Sequence, residues 1–144
     1  SEKSDLGPYG AFLSELVDKL ELGHRVIFTG LLPHEDLVMA YSASLASLTP
    51  SIWIEPFGYV TIEAMACATP PIVTENCGSA ELVNDEVGRV VPRMDPSAIA
   101  EAVKEIIPQR TEMGIRARQR VCESITPRNI VDELLSLFHK VISV

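Results

Sequence analysis

Long hydrophobic runs are missing from this sequence of 144 residues. Its longest uninterrupted apolar stretches, 37–41 and 64–68, hold five residues each, whereas a membrane span needs about 20. Basic residues are also few, because 12 lysines and arginines stand against 20 aspartates and glutamates, for a formal net charge of −8. Since phosphate backbones are bound by clustered Lys and Arg, this balance excludes nucleic acid as the expected main partner.

Cysteine and histidine are equally scarce, with three of each. An odd number of cysteines without a Cys-x-x-Cys pair predicts neither a disulfide framework nor a zinc site, and favours a reducing, cytoplasmic location. The histidines share no ligand spacing, so we interpret them as surface or structural residues and predict no metal. These residues are Cys67, Cys77, Cys122, His24, His34 and His139.

One cluster of basic residues does occur, at Arg110, Arg116, Arg118 and Arg120. The simplest interpretation is the solvated face of a helix. The alternative is contact with an anionic membrane surface or a phosphorylated ligand.

Hydrophobic periodicity predicts strands that alternate with helices along the whole chain. Strands that are buried on both faces belong to a parallel sheet covered by helices, so the predicted class is α/β, in one domain over 1–144. The predicted strands are 26–30, 44–51, 71–75 and 89–92, and the predicted helices are 11–20, 33–41, 58–68, 81–84, 95–107 and one that starts at Thr126.

Two carboxylates, Glu55 and Glu63, stand eight residues apart on either side of a predicted helix start. The backbone N–H groups over 57–60 would be open donors there, and together with the helix dipole they suit an anion such as a diphosphate. Ionised carboxylates accept hydrogen bonds from hydroxyl groups. The pattern therefore suits a sugar nucleotide, although a helix start also favours acidic residues through the dipole alone.

The sequence around these glutamates resembles the retaining glycosyltransferases of the GT-B fold, the group 1 family also numbered glycosyltransferase family 4. The resemblance covers about residues 10–135 and includes a strand at 26–30. Its central motifs are Pro50-Ser51, Glu55-Pro56-Phe57-Gly58, Glu63-Ala64-Met65-Ala66 and Thr69-Pro70-Pro71-Ile72-Val73, followed by Gly78-Ser79-Ala80-Glu81, Gly88 and Asp95.

The resemblance implies that the chain is the donor-binding, C-terminal half of a GT-B fold, a Rossmann-like sheet flanked by helices. Glu55 would bond hydroxyls of the transferred sugar, and Glu63 would bond the ribose. The loop at Gly30, Leu31 and Leu32 would lie against the base, or Leu31 and Leu32 would simply pack in the core. The sugar and diphosphate would be held by the backbone N–H groups of Phe57, Gly58 and Tyr59.

The family's chemistry implies transfer of a hexosyl group from a nucleoside diphosphate sugar to an acceptor sugar, glycan or glycolipid. Configuration is retained, no metal or other cofactor is needed, and the leaving diphosphate helps to deprotonate the acceptor. Two positions depart from the family pattern, since Ala68 and Cys77 stand where glycine is usual. Cys77 would add a side chain to a loop that faces the donor.

Part of the family's pattern is missing from this chain. The donor domain normally begins with two more strands and a Gly-Arg … Lys-Gly segment, which in the strand order 3-2-1-4-5-6 would lie between 26–29 and 45–49. Residues 1–7 resemble the turn after the second of these strands. We therefore expect a fragment, inactive alone, that lacks the acceptor domain; any peripheral membrane contact would come through that missing domain.

Two other functions are also compatible with the sequence. A sugar-nucleotide epimerase shares the fold but lacks the motif around Glu55 and Glu63. A non-catalytic module that binds a nucleotide sugar or regulates another protein is the other alternative, since both glutamates can persist without activity.

Overall fold

The structure is a computed structural model that describes residues 7–142. The chain divides after Leu37 into two compact units. The first contains helix α1 (Gly7–Lys19) and the start of helix α2 (His34–Ala43). Of the turn predicted over 1–7, residues 1–6 lie outside the described residues, and Gly7 is the first residue of α1.

The strand predicted over 26–30 is wrong. This segment forms no strand with any part of the chain that the structure describes, and Ile27 is 86% exposed. A β-branched and aromatic run becomes a strand only where a neighbouring strand takes its backbone hydrogen bonds, because side-chain preference alone does not stabilise a lone strand.

The second unit is built on a parallel sheet of three strands in the order β1-β2-β3. Ser47 of β1 pairs with Pro71 of β2, and Ile72 of β2 pairs with Arg89 of β3. The predicted strands are thus confirmed here, with shorter bounds: β1 is Ser47–Thr49, β2 is Pro71–Thr74 and β3 is Arg89–Val91.

Helices cover both faces of this sheet, which confirms the α/β class. Side chains alternate between the faces of a strand, and the neighbours Ile72 and Val73 of the central strand belong to two different buried clusters. The helices are α3 (Tyr59–Ala66), α4 (Pro96–Ile106), α5 (Arg110–Ser124) and α6 (Pro127–Ile142), with short 3₁₀ turns at Gly78–Leu82 and Ile107–Gln109.

The helix starts follow the predicted capping chemistry. The Asp95 side chain accepts a hydrogen bond from the N–H of Ala98 at 2.9 Å, at the start of α4. Thr126 likewise accepts from the N–H of Asn129 at 3.1 Å, at the start of α6. The α6 face at Ile130, Leu134, Leu137, Phe138 and Val141 is about half exposed.

Replacing Ile106 by alanine should destabilise the fold by about 2–5 kcal/mol, because it removes a fully buried side chain and leaves a cavity. Ile106 packs with Ile72, Val91 and Met113 in one of the two buried clusters. Its neighbour Ile107 is about half exposed, so Ile107→Ala is the matched control with a much smaller loss. Urea denaturation of both variants measures the difference, and equal losses would contradict this packing.

Candidate functional site

Glu55 lies beyond the end of β1 and adds one further parallel pairing to the sheet. It forms an isolated parallel bridge with Cys77. The N–H of Glu55 donates to the carbonyl of Asn76 at 3.1 Å, and the N–H of Gly78 donates to the carbonyl of Glu55 at 2.8 Å. Since these residues follow β1 and β2, Glu55 is fixed at the carboxyl edge of the parallel sheet, where open α/β sheets bind ligands.

The backbone after Glu55 is held by the same segment. The N–H of Ser79 donates to the carbonyl of Phe57 at 2.7 Å. Gly58 has φ +82, a left-handed conformation, and a Cβ placed there would lie 2.7 Å from the Cys77 sulfur. Glycine at position 58 is therefore required both by its conformation and by this close approach.

Helix α3 begins directly after Gly58, and no side chain caps it. Its first backbone N–H groups are therefore open donors at the positive end of the helix dipole. The first turn of α3 carries no acidic residue, so dipole preference at a helix start does not account for Glu63, which lies further along. The rings of Phe57 and Tyr59 pack edge to face across Gly58, with centroids 5.2 Å apart.

Glu63 is exposed on α3 and is approached by a tyrosine that sequence reasoning missed. The hydroxyl of Tyr41, from α2, donates to Oε2 of Glu63 at 3.4 Å. Burial raises the pKa of Tyr41, and the Glu63 carboxylate raises it further by its charge and this hydrogen bond. At neutral pH the hydroxyl therefore keeps its proton and acts as the donor. Tyr41 and Glu63 are 22 residues apart, so their spacing gave no signal.

A buried network of hydroxyls lies behind this loop. Thr49 and Thr61 are hydrogen-bonded through their hydroxyls at 3.1 Å, and the Ser79 hydroxyl donates to that of Thr61 at 2.9 Å. The Cys77 sulfur lies 3.2 Å from the Ser79 hydroxyl. These contacts join the end of β1, the first turn of α3 and the 3₁₀ turn.

Cys77 adds a side chain where the family pattern has glycine, and the structure shows where that side chain lies. Cys77 is only 3% exposed, and its thiol points toward Ser79 and the carbonyl of Phe57. The side chain fills space beside Gly58 and adds no bulk to the surface.

The arginine cluster is mostly structural rather than a solvated face. Arg110 donates to the carbonyls of Ser42 and Ser44 at 2.8–3.1 Å, which satisfies the end of α2. Arg116 donates to the carbonyl of Glu86 at 2.9 Å, and Arg120 donates to that of Leu82 at 3.2 Å. These bonds join α5 to the loops before β3. Arg118 alone among the four is exposed.

The remaining predicted residues belong to the first unit. Gly30 and Leu31 belong to the unit that ends at Leu37, where Gly30 has a positive φ and Leu31 is fully exposed; their contact with a base stays a prediction.

In residues 7–142, no three side chains of His, Cys, Asp or Glu converge as metal ligands. Nor is any helix within that range long and apolar enough to cross a bilayer.

Comparison with known proteins gives a consistent result. The sequence model of the family described as glycosyl transferases group 1 matches residues 5–121. The chain is 35% identical over 120 residues to D-inositol 3-phosphate glycosyltransferase of Corynebacterium diphtheriae, covering 77% of this chain and 28% of that protein. It thus spans about a third or less of such a relative's length.

Solved structures show the same fold. Sucrose-phosphate synthase of Thermosynechococcus elongatus superposes with a TM-score of 0.81 at 33% identity, over 95% of this chain and 35% of that chain. Anabaena HepE in complex with UDP-glucose gives 0.68 at 23% identity, over 94% and 37%. The family match over most of the sequence, together with a relative 35% identical over 77% of the chain, leads to one conclusion: the chain belongs to the group 1 glycosyl transferases.

Proposed function

We propose that this chain forms the donor-binding half of a retaining glycosyltransferase that transfers a hexosyl group from a nucleoside diphosphate sugar. The observation that carries the proposal is the position of Glu55. Its backbone is fixed at the carboxyl edge of the sheet by the bridge to Cys77, which places its side chain next to the uncapped start of α3 in the chain. A carboxylate that can accept hydrogen bonds from sugar hydroxyls is thus close in the chain to backbone N–H groups that can bind an anion.

The diphosphate would lie at the backbone N–H groups of Phe57, Gly58 and Tyr59. Open N–H donors and the helix dipole stabilise negative charge there without a metal ion. This charge develops fully only when the bond to the sugar breaks, so the same donors would stabilise the leaving group. On this proposal the leaving diphosphate also helps to deprotonate the acceptor, on the face from which the sugar is attacked.

Each carboxylate would bind a different part of the donor. Glu55, in the loop, would accept hydrogen bonds from hydroxyls of the transferred sugar. Glu63, one to two turns into α3, would accept from the ribose hydroxyls. The Tyr41 hydroxyl on Oε2 restrains the Glu63 carboxylate, and the other oxygen is left to accept from the ribose. Gly30 and Leu31 would lie against the base.

The similar proteins support this donor class. One is a glycosyltransferase by name, and another has been solved with UDP-glucose. Because the chain spans only about a third of their length, we propose that sequence beyond it supplies the acceptor half and the remaining strands of the donor half. The 144-residue chain alone would then bind donor weakly and transfer nothing. A cytoplasmic location and any peripheral membrane contact belong to the same proposal.

Titration of the full-length protein with UDP-glucose, UDP-N-acetylglucosamine, GDP-mannose and ADP-glucose should identify one donor that binds without added metal. Incubation of that donor with candidate acceptors, followed by NMR of the product, should show the donor's anomeric configuration retained. Binding without any transfer would favour the non-catalytic alternative. Binding of none of these donors would contradict the proposed function.

A further inference from the structure

Trp53 lies beside Glu55 with its indole directed to the carboxylate. The indole N–H donates to Oε2 of Glu55 at 3.1 Å. Trp53 is the only tryptophan of the chain, and 63% of its surface is exposed. The side chain of Trp53 is therefore largely exposed, and its only polar group donates to the glutamate that is proposed to bind the sugar.

The backbone of Trp53 and of Glu55 is held by hydrogen bonds to the same residue, Asn76. The side-chain amide of Asn76 donates to the carbonyls of Trp53 and Ser51. The hydroxyl of Thr74 donates to the carbonyl of Ser51 as well, at 2.9 Å. The backbone carbonyl of Asn76 also accepts a hydrogen bond from the N–H of Glu55. Asn76 therefore anchors the backbone of both residues that form the indole–carboxylate bond.

This anchoring distinguishes the pair from an ordinary surface contact. Two freely moving side chains lose conformational entropy when they form one hydrogen bond in water, which cancels most of its benefit. Here Asn76 holds the backbone at both ends, so the separation of the two side chains is set and only their own torsions lose freedom when the bond forms. The bond also uses one acceptor position on Oε2 and leaves the others, on both oxygens, for hydroxyl groups.

We propose that Trp53 is a positioning residue that orients the Glu55 carboxylate toward the hydroxyls of the transferred sugar, so that it contributes to recognition of the sugar and not of the nucleotide. The inference rests on the proposed function, in which Glu55 binds the sugar. It adds a residue that lies outside the Glu55-Pro56-Phe57-Gly58 motif and whose role depends on the indole N–H.

The test uses the full-length protein, the donor identified by the titration above, and the matching nucleoside diphosphate. Trp53→Phe keeps an apolar ring and removes the N–H. It should weaken binding of the sugar nucleotide by about three- to tenfold, the range for loss of one ordinary hydrogen bond, because the indole N–H positions the carboxylate and does not itself bind the sugar. Affinity for the nucleoside diphosphate should not change. Ile54→Ala is the matched control, because Ile54 is the adjacent apolar residue and is 82% exposed.

A double-mutant cycle separates this inference from the proposed function. In a Glu55→Gln background, Trp53→Phe should cause a clearly smaller further loss, since the charged acceptor is gone. An unchanged affinity for the sugar nucleotide in Trp53→Phe, or an equal loss for the nucleoside diphosphate, would overturn the inference alone. Full sugar-nucleotide affinity in Glu55→Gln would instead overturn the proposed role of Glu55, and the inference with it.

Tryptophan emission gives a second measurement. The difference between the spectra of the parent protein and of Trp53→Phe isolates the emission of Trp53. Addition of the sugar nucleotide should change this difference, and addition of the nucleoside diphosphate should change it much less. An emission that responds equally to both ligands would overturn the inference.

Discussion

Replacing Gly78 by alanine is expected to reduce sugar transfer by about 100-fold, the cost to a reaction of misplacing a positioning group by roughly 1 Å, and to weaken sugar-nucleotide binding as well. A Cβ at this position would lie 2.1 Å from the carbonyl oxygen of Pro56 and 3.1 Å from the Cα of Phe57. Both neighbours are backbone atoms, so no side chain can rotate away to make room. The loop that carries Glu55 and the proposed diphosphate donors must therefore move.

The displacement would break the hydrogen bonds that position this loop. The N–H of Gly78 donates to Glu55, and the N–H of Ser79 donates to Phe57. Overpacking of this kind also destabilises a fold by about 1–3 kcal/mol, so a thermal melt must accompany the titration. Gly23→Ala is the control, because nothing lies within 4 Å of a Cβ there. Unchanged donor affinity in a folded Gly78→Ala protein would contradict the proposed site.

The parts of the fold that the sequence predicted well are those determined by local patterns. Strands β2 and β3 follow from short apolar runs between turn residues, and the starts of α4 and α6 follow from a capping residue before proline. The segment 26–30 is likewise a short apolar run before a turn residue, but it pairs with no described strand. The wrong strand prediction for this segment shows that strand formation depends on a neighbouring strand, which cannot be predicted from local composition.

The site divides in the same way. The prediction that Glu55 lies in the loop before a helix and Glu63 in the first two turns of that helix is confirmed, because both positions follow from the local start of α3. Contacts between distant residues were not predictable: Tyr41 with Glu63 is separated by 22 residues, and Arg110 with Ser44 by 66. The inward direction of the Cys77 thiol likewise depends on Ser79 and Phe57 as they pack in three dimensions.

The second large effect is expected from replacing the two glutamates by alanine, and the two variants should differ in which ligand they bind less tightly. Glu63→Ala should weaken both the nucleoside diphosphate and the sugar nucleotide by roughly 1.5–3 kcal/mol, the value of a hydrogen bond to a charged group. Glu55→Ala should weaken only the sugar nucleotide, by a similar amount, and should reduce transfer, because its proposed partner is absent from the nucleoside diphosphate. Glu133→Ala removes the same charge from exposed α6 and should change neither affinity.

Calorimetric titration of the full-length parent, Glu55→Ala, Glu63→Ala and Glu133→Ala proteins with both ligands is the most direct test of the proposed donor site. The proposal predicts that nucleoside diphosphate affinity falls in Glu63→Ala and is kept in Glu55→Ala, while sugar-nucleotide affinity falls in both. Equal losses of nucleoside diphosphate affinity in the two variants, or no loss of affinity for either ligand, would contradict it.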